Sequence, residues 1–295
     1  MKIHQYIFIL LLAGIFTTAS AQPVIVQSIQ VSNEISSRNL DNPNWLHAPV
    51  ATIPLLPQNI TQPMLQKSSV NSLSVKSIYN NTHIGFMLQW KDSSRDAIVD
   101  ADKFCDQVGI QFPMNPDTVP NFMMGNKKGR VHILHWKAIW QDDCEKGFRD
   151  VIDAYPNYWT DIYPLLERYG DGSKAAFARD VSASQLVISD AKNYMHGAYA
   201  GNPMSMIIRK EPCEETSAEG YGTLATQEMQ EASAWGYWAD NQWTVLFVRP
   251  INSADKNDAP IRDKTKMAFA VWDGNAENIG AKKSYSVWYT LELKK

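Results

Sequence analysis

The chain has 295 residues, a formal net charge of −3 and only three cysteines. So small a charge gives no reason to expect nucleic acid or an anionic membrane surface as a partner. Ten Trp and twelve Tyr are many for this length, and they suit strands and apolar pockets alike.

Residues 1–21 read as a secretory signal. Basic Lys2 and His4 precede the apolar run from Ile7 to Phe16, and Ala19-Ser-Ala21 leads into Gln22. The run is too short for a transmembrane helix, which needs about 20 apolar residues. The expectation is an exported, soluble chain in which residues 22–295 form one domain.

Strand-like segments recur from end to end. Val24–Val31 alternates; Leu73–Tyr79 and His83–Trp90 flank a hairpin turn at Asn80-Asn-Thr82. Val108–Phe112, Val131–Ile139, Leu186–Ser189 and Met204–Arg209 follow, then Ala234–Ala239 and Trp243–Arg249 about a turn at Asp240–Gln242. Two C-terminal strands complete the set, Met267–Gly274 and a long one running from Lys283 to Leu293. In the long one Tyr285, Val287, Tyr289, Leu291 and Leu293 share a face. The best helix signal, Tyr158–Tyr169, lies in the irregular stretch 140–200, an insertion or a partner-docking face. Short strands with turn signals between them predict an all-β fold, a mostly antiparallel β-sandwich with a few short helices in long connections. Its core is expected to draw on Val108, Ile110, Ile133, Val245, Phe247, Phe269, Val271, Val287 and Tyr289.

Chemistry is not announced by any catalytic triad, phosphate loop or Cys-x-x-Cys. Cys105, Cys144 and Cys213 stand apart, so covalent c-type haem, iron–sulfur and structural zinc sites are excluded, while a Cys144–Cys213 disulfide stays open. His132 and His135 are three apart in one expected strand and therefore face opposite sides of it. The plain reading is two strand histidines, one of them buried and hydrogen-bonded. Asp92, Asp106 and Asp273 lie near strand ends, but no spacing pairs them as the acid and base of a hydrolase. Pro120-Asn-Phe-Met-Met-Gly125 offers thioethers on a loop; methionine in a core is ordinarily packing, yet the same soft neutral group is a haem-iron ligand. Lys282 and Lys283, where the last strand begins, are by the plain reading edge-strand charges. As a metal ligand either would have to be the neutral amine.

Several blocks together resemble the haem b-binding γ subunit of periplasmic molybdoenzymes, the group of ethylbenzene dehydrogenase, dimethylsulfide dehydrogenase, and selenate and chlorate reductases. They are Trp45–Pro49 with Ile53–Gln58, Val75–Asp92, Val108–Pro113, the Met-Met-Gly segment, and His135–Ala138. Asp150–Pro156, Gly201–Ser205, Ala218–Leu224, Phe247–Pro250 and the C-terminal pair continue the series. The resemblance implies a β-sandwich holding one non-covalent haem b between a methionine and a lysine. Carried onto this chain, the pair is Met124 and Lys283, with Met123, Lys282 and Lys266 as alternates. It further implies an electron-transfer role without substrate chemistry. The implied partners are a molybdopterin catalytic subunit, an iron–sulfur subunit, and a soluble c-type cytochrome or quinone-linked carrier. The rival expectation is a secreted sandwich that binds carbohydrate or another small ligand on its aromatic side chains.

Overall fold

The computed structural model describes residues 23–147 and 209–295. The signal segment, the helix expected at Tyr158–Tyr169 and the strand expected at Leu186–Ser189 lie outside the described residues. So does the strand expected at Met204–Arg209, apart from Arg209, which is in no strand.

Fourteen strands and two short helices follow one another along the described chain. The first half contains β1 (Ile25–Gln30), α1 (Asn44–His47), β2 (Ala51–Pro54), β3 (Leu56–Pro57), β4 (Ser72–Tyr79) and β5 (His83–Lys91). Then come β6 (Gln107–Pro113), β7 (Val131–Lys137) and α2 (Ala138–Lys146), and after the gap β8 (Cys213–Ala218) and β9 (Ala225–Thr226). The chain ends with β10 (Ser233–Ala239), β11 (Gln242–Pro250), β12 (Lys264–Trp272), β13 (Ser284–Tyr285) and β14 (Tyr289–Lys294). Strands follow the order β10-β11-β5-β4-β1-β14-β12-β6-β7-β8-β9, antiparallel throughout except where β1 runs parallel to both β4 and β14. The all-β class and the predominantly antiparallel pairing are as expected.

One long strand makes the sandwich. The first part of β12, Lys264–Met267, pairs with β14, and its second part, Ala268–Trp272, pairs with β6. The ribbon therefore turns at β12 into two sheets that face each other. Phe86 of β5 meets Phe112 of β6 at 5.8 Å between ring centroids, and Trp136 of β7 meets Trp243 of β11 at 4.9 Å. Inward residues alternate as a two-residue period requires: Val108, Ile110 and Phe112 from β6, Leu134 and Trp136 from β7, Val245 and Phe247 from β11. Gly236 is obligatory on β10, because a Cβ there would strike the Trp136 ring.

Differences from the sequence expectations have local causes. The long final strand is two strands, interrupted at Ser286, whose backbone and side chain both bond to Phe269 while the chain passes from one sheet to the other. Val287 is consequently exposed and Tyr289 only partly buried, so neither is a core residue as expected. Ile133 is also outside the core, on the outer face of β7. The strand expected at Val131–Ile139 stops at Lys137; the Gln141 side chain of α2 then accepts from Trp136 Nε1 at 3.0 Å and from the Gly236 amide, docking the helix on the sandwich. Strand β8 was missed because Cys-Glu-Glu-Thr-Ser-Ala has no apolar alternation. Cys105, Cys144 and Cys213 are all free thiols.

Candidate cofactor cavity

The outward faces of β6, β7, β8 and β12 are covered by loops, and between sheet and loops lies a cavity of about 930 Å³. This explains why every residue of β6 is buried although only alternate ones enter the core. Its floor is made low by small side chains: Gly109 of β6 pairs across with Ala270 of β12, and Ala268 lies two residues on. Gln111 of β6 donates from its amide to the carbonyl of Phe122, tying the Met-Met-Gly loop down onto the sheet.

That loop has the shape its sequence demands. Met124 has φ +64° and Gly125 φ +80°, and a Cβ at Gly125 would collide with the carbonyl of Gly129. Gly220 N–H donates to the Met124 carbonyl at 2.8 Å, which holds the left-handed turn. Both methionines line the cavity. Met123 is buried, and its sulfur accepts a contact from the Tyr221 hydroxyl at 3.6 Å. Met124 is the residue in the unfavourable backbone region, a cost of about 1–2 kcal/mol for an L-residue.

Lys283 lies on the same cavity, and its segment is held against the methionine loop. Phe122 stacks on Tyr285 at 5.8 Å and 12°, and the Trp288 indole donates to the Pro120 carbonyl at 2.7 Å. The Lys283 amine sits 4.8 Å over the Trp272 ring and makes no ion pair or hydrogen bond among the described residues. Desolvation alone pushes its pKa down, from 10.5 to about 8. The two alternate lysines are elsewhere: Lys282 reaches Glu277 at 3.6 Å, and Lys266 donates to Thr290 at 2.9 Å. Neither lines the cavity.

Between Trp272 and Trp140, at 5.1 and 5.6 Å, stands the ring of His135. Burial, then the charges of Lys137 and Lys283, hold it well below the usual imidazole range, so it is neutral. Its Nε2 has no hydrogen-bond partner among the described residues. His132 points the other way, into the sandwich, as its spacing from His135 requires.

Two clusters of metal-ligating side chains occur among the described residues, and neither lines this cavity. In the first, His132 Nε2 lies 3.4 Å from Glu215 and 3.6 Å from Asp258. His132 Nδ1, however, is 3.2 Å from both the Arg249 guanidinium and the Ala259 amide. A nitrogen facing two donors carries no proton, so the neutral ring has its proton on Nε2, directed at the carboxylates. Metal bound through Nε2 would need the opposite tautomer. The second cluster joins Asp92, Asp96, Asp106 and Asp273 at strand ends. Burial and the Asp92 charge push Asp106 up to about 8, while Asp106 accepts from the Gly274 and Asp96 amides and the Trp243 indole. Its bonds are those of a structural knot between loops.

Residues 42–284 match the family described as ethylbenzene dehydrogenase. The chain belongs to that family. It is 21% identical over 83% of its length to a protein of Haloferax mediterranei named as a respiratory nitrate reductase heme subunit, of which it spans 64%. It is 23% identical over 55% of its length to the chlorate reductase subunit gamma of Ideonella dechloratans, of which it spans 70%. Among solved structures, a carbohydrate-binding protein of Bacteroides uniformis superposes over 92% of this chain and all of that one, with 9% identity and a TM-score of 0.45. No described helix is long and apolar enough to cross a membrane.

Gln58 and Trp272 are cavity residues that reading the sequence for ligands did not weigh, and His135, weighed there and read as a plain strand histidine, also lines the cavity. The small residues Gly109, Ala268 and Ala270 on one face of two adjacent strands were the available signal for a floor.

Proposed function

We propose that this chain is an exported electron-transfer subunit that holds one haem b in the cavity over β6, β7 and β12, between Met124 and Lys283. The observation that carries the reading is Lys283: an amine facing a cavity, with no counter-ion and no hydrogen bond among the described residues, whose pKa desolvation lowers to about 8. Such an amine gives up its proton readily and presents a lone pair. Met124 and Met123 line the same space with neutral, soft sulfur donors. The volume, about 930 Å³, is in the range of cavities that enclose cofactor-sized ligands, roughly 300–1,000 Å³. The chain has no Cys-x-x-Cys-His, so the group would be held without covalent attachment. Haem iron bound there would take up and give up single electrons; the protein would supply the ligands, the apolar walls and the exclusion of water.

The names of the two relatives support the haem and the redox complex. The partners on this reading are a molybdopterin catalytic subunit and an iron–sulfur subunit, with a soluble c-type cytochrome or quinone-linked carrier completing the circuit in the periplasm. Substrate chemistry would belong to the catalytic subunit.

Purified with haem available, the protein should show a low-spin b-type spectrum and release its haem into acidified organic solvent. Met124→Ala and Lys283→Ala should each lose the low-spin form, and the wild type should lose its lysine ligand as pH falls, since protons compete with iron for one lone pair. Gly109→Leu should exclude haem while keeping the β circular dichroism, because a Cβ there meets nothing closer than 3.5 Å and the longer side chain extends over the floor. A wild-type spectrum in both ligand variants would overturn the axial pair. Loss of the signal in His135→Phe with Lys283→Ala unaffected would move the ligand to β7.

A further inference from the structure

We infer that Gln58 is the positioning residue for Lys283. The inference rests on the axial reading above and adds what aims the amine. Gln58 is 1% exposed, lies 225 positions from Lys283 in the chain, and spends nearly all its hydrogen-bonding capacity on two loops. Its backbone N–H donates to the Lys283 carbonyl at 3.0 Å, and its side-chain amide nitrogen donates to the Ala281 carbonyl at 2.9 Å. The same nitrogen donates to the Thr61 carbonyl at 2.7 Å, while the amide oxygen accepts from the Ile60 and Thr61 amides at 2.7 and 2.8 Å.

The effect on the lysine segment follows from which atoms are held. Trp272 Nε1 takes the Gly280 carbonyl at 2.9 Å, so three of the four carbonyls from 280 to 283 are fixed, two of them by Gln58. Lys282, in an isolated bridge with Ile279, turns out to Glu277, while Lys283, in the bend before β13, lines the cavity. A rotation of the backbone at this point would exchange the two. A long flexible side chain reaches a fixed iron only if its backbone is held, because each freely rotating stem bond otherwise dilutes the bound geometry.

The backbone bond to Lys283 would survive any side chain, whereas the bonds to Ala281, Ile60 and Thr61 need an amide, which donates and accepts on one planar group. Gln58→Glu keeps the bonds accepted from Ile60 and Thr61 but sets a carboxylate against the Thr61 and Ala281 carbonyls. Gln58→Met removes every side-chain bond at similar length. Both variants and wild type would be loaded with haem and compared with Lys283→Ala and with Gln89→Met. In that last control a glutamine bonded to Thr244 at 3.0 Å, far from the cavity, is lost.

Expected are near-stoichiometric haem in the Gln58 variants, and a ratio of low-spin to other ferric haem lowered about fivefold or more at pH 7, the effect of one lost hydrogen bond. Gln89→Met should keep the wild-type ratio. A wild-type ratio in Gln58→Met alongside a collapsed one in Lys283→Ala overturns the positioning role alone. Equal changes in Gln58→Met and Gln89→Met overturn it as well, by assigning the effect to general loosening. A wild-type ratio in Lys283→Ala removes the axial reading and this inference with it. Should Gln58→Met fail to fold, Gln58→Glu carries the same readout.

Discussion

Arg249, His132, Glu215 and Asp258 lie inside the sandwich and are linked by close charge contacts, whereas Lys283 lies on the outer face of the second sheet and has no charged partner among the described residues. The Arg249 guanidinium reaches Asp258 at 3.3 Å and His132 at 3.2 Å, and Glu215 takes the Glu231 and Ala232 amides. Four chain segments, β7, β8, β11 and the loop before β12, are joined by that cluster. Lys283, over its tryptophan, has its charge opposed by desolvation and by no partner. A buried polar group that is satisfied internally holds a fold together; one left unsatisfied costs stability until something else binds it. The comparison therefore predicts opposite signs for mutations in the two regions.

The largest effect belongs to the inner cluster. Arg249→Met strands the Asp258 carboxylate and removes a donor from His132, and should cost about 3–5 kcal/mol in urea unfolding. A loss below about 1 kcal/mol would mean the cluster is dispensable and would dissolve the contrast.

Lys283→Met in the haem-free protein should instead gain roughly 1–3 kcal/mol at pH 7, because an amine that pays for desolvation becomes an apolar chain of similar shape. The pH dependence sharpens the same point. The folded pKa of about 8 lies below the ordinary 10.5, so between those values the unfolded chain binds more protons at this residue. Stability of the haem-free protein should rise with pH across that window, and the full penalty is present below it. In Lys283→Met this rise should vanish. An unchanged profile would show that the amine is solvated.

The smallest effect is at the methionine turn. Met124→Gly relieves a left-handed φ of +64° and should stabilise the haem-free protein by about 0.5–1 kcal/mol, while removing the proposed sulfur ligand. Destabilisation there would place Met124 among packing residues and favour Met123.

Much of the outer cavity was legible from local pattern, and the inner cluster was not. The Met-Met-Gly turn and the Lys-Lys pair are each a run of adjacent residues, visible in the sequence without knowing what packs on them. His132 and His135 were correctly assigned to opposite faces by the two-residue period of a strand. Arg249, Glu215 and Asp258, by contrast, come from different segments with no shared spacing, and β8, which carries Glu215, looks like a polar loop. Gln58 escaped for the same reason: a buried glutamine has no signature, because its value lies in carbonyls far away along the chain.

By itself the sequence determined the all-β class, both tight hairpins and the alternation that puts Val108 and Ile110 inward, and it offered Lys283 with Lys282 and Lys266 as alternates. Tertiary structure alone put Lys283 on the cavity and Lys282 beside Glu277, broke the last strand at Ser286, and carried β12 from one sheet to the other. The physical reason is that a strand's period states which residues share a face, while burial of that face depends on what covers it. The outward residues of β6 and β7 became cavity walls only because loops distant in sequence close over them.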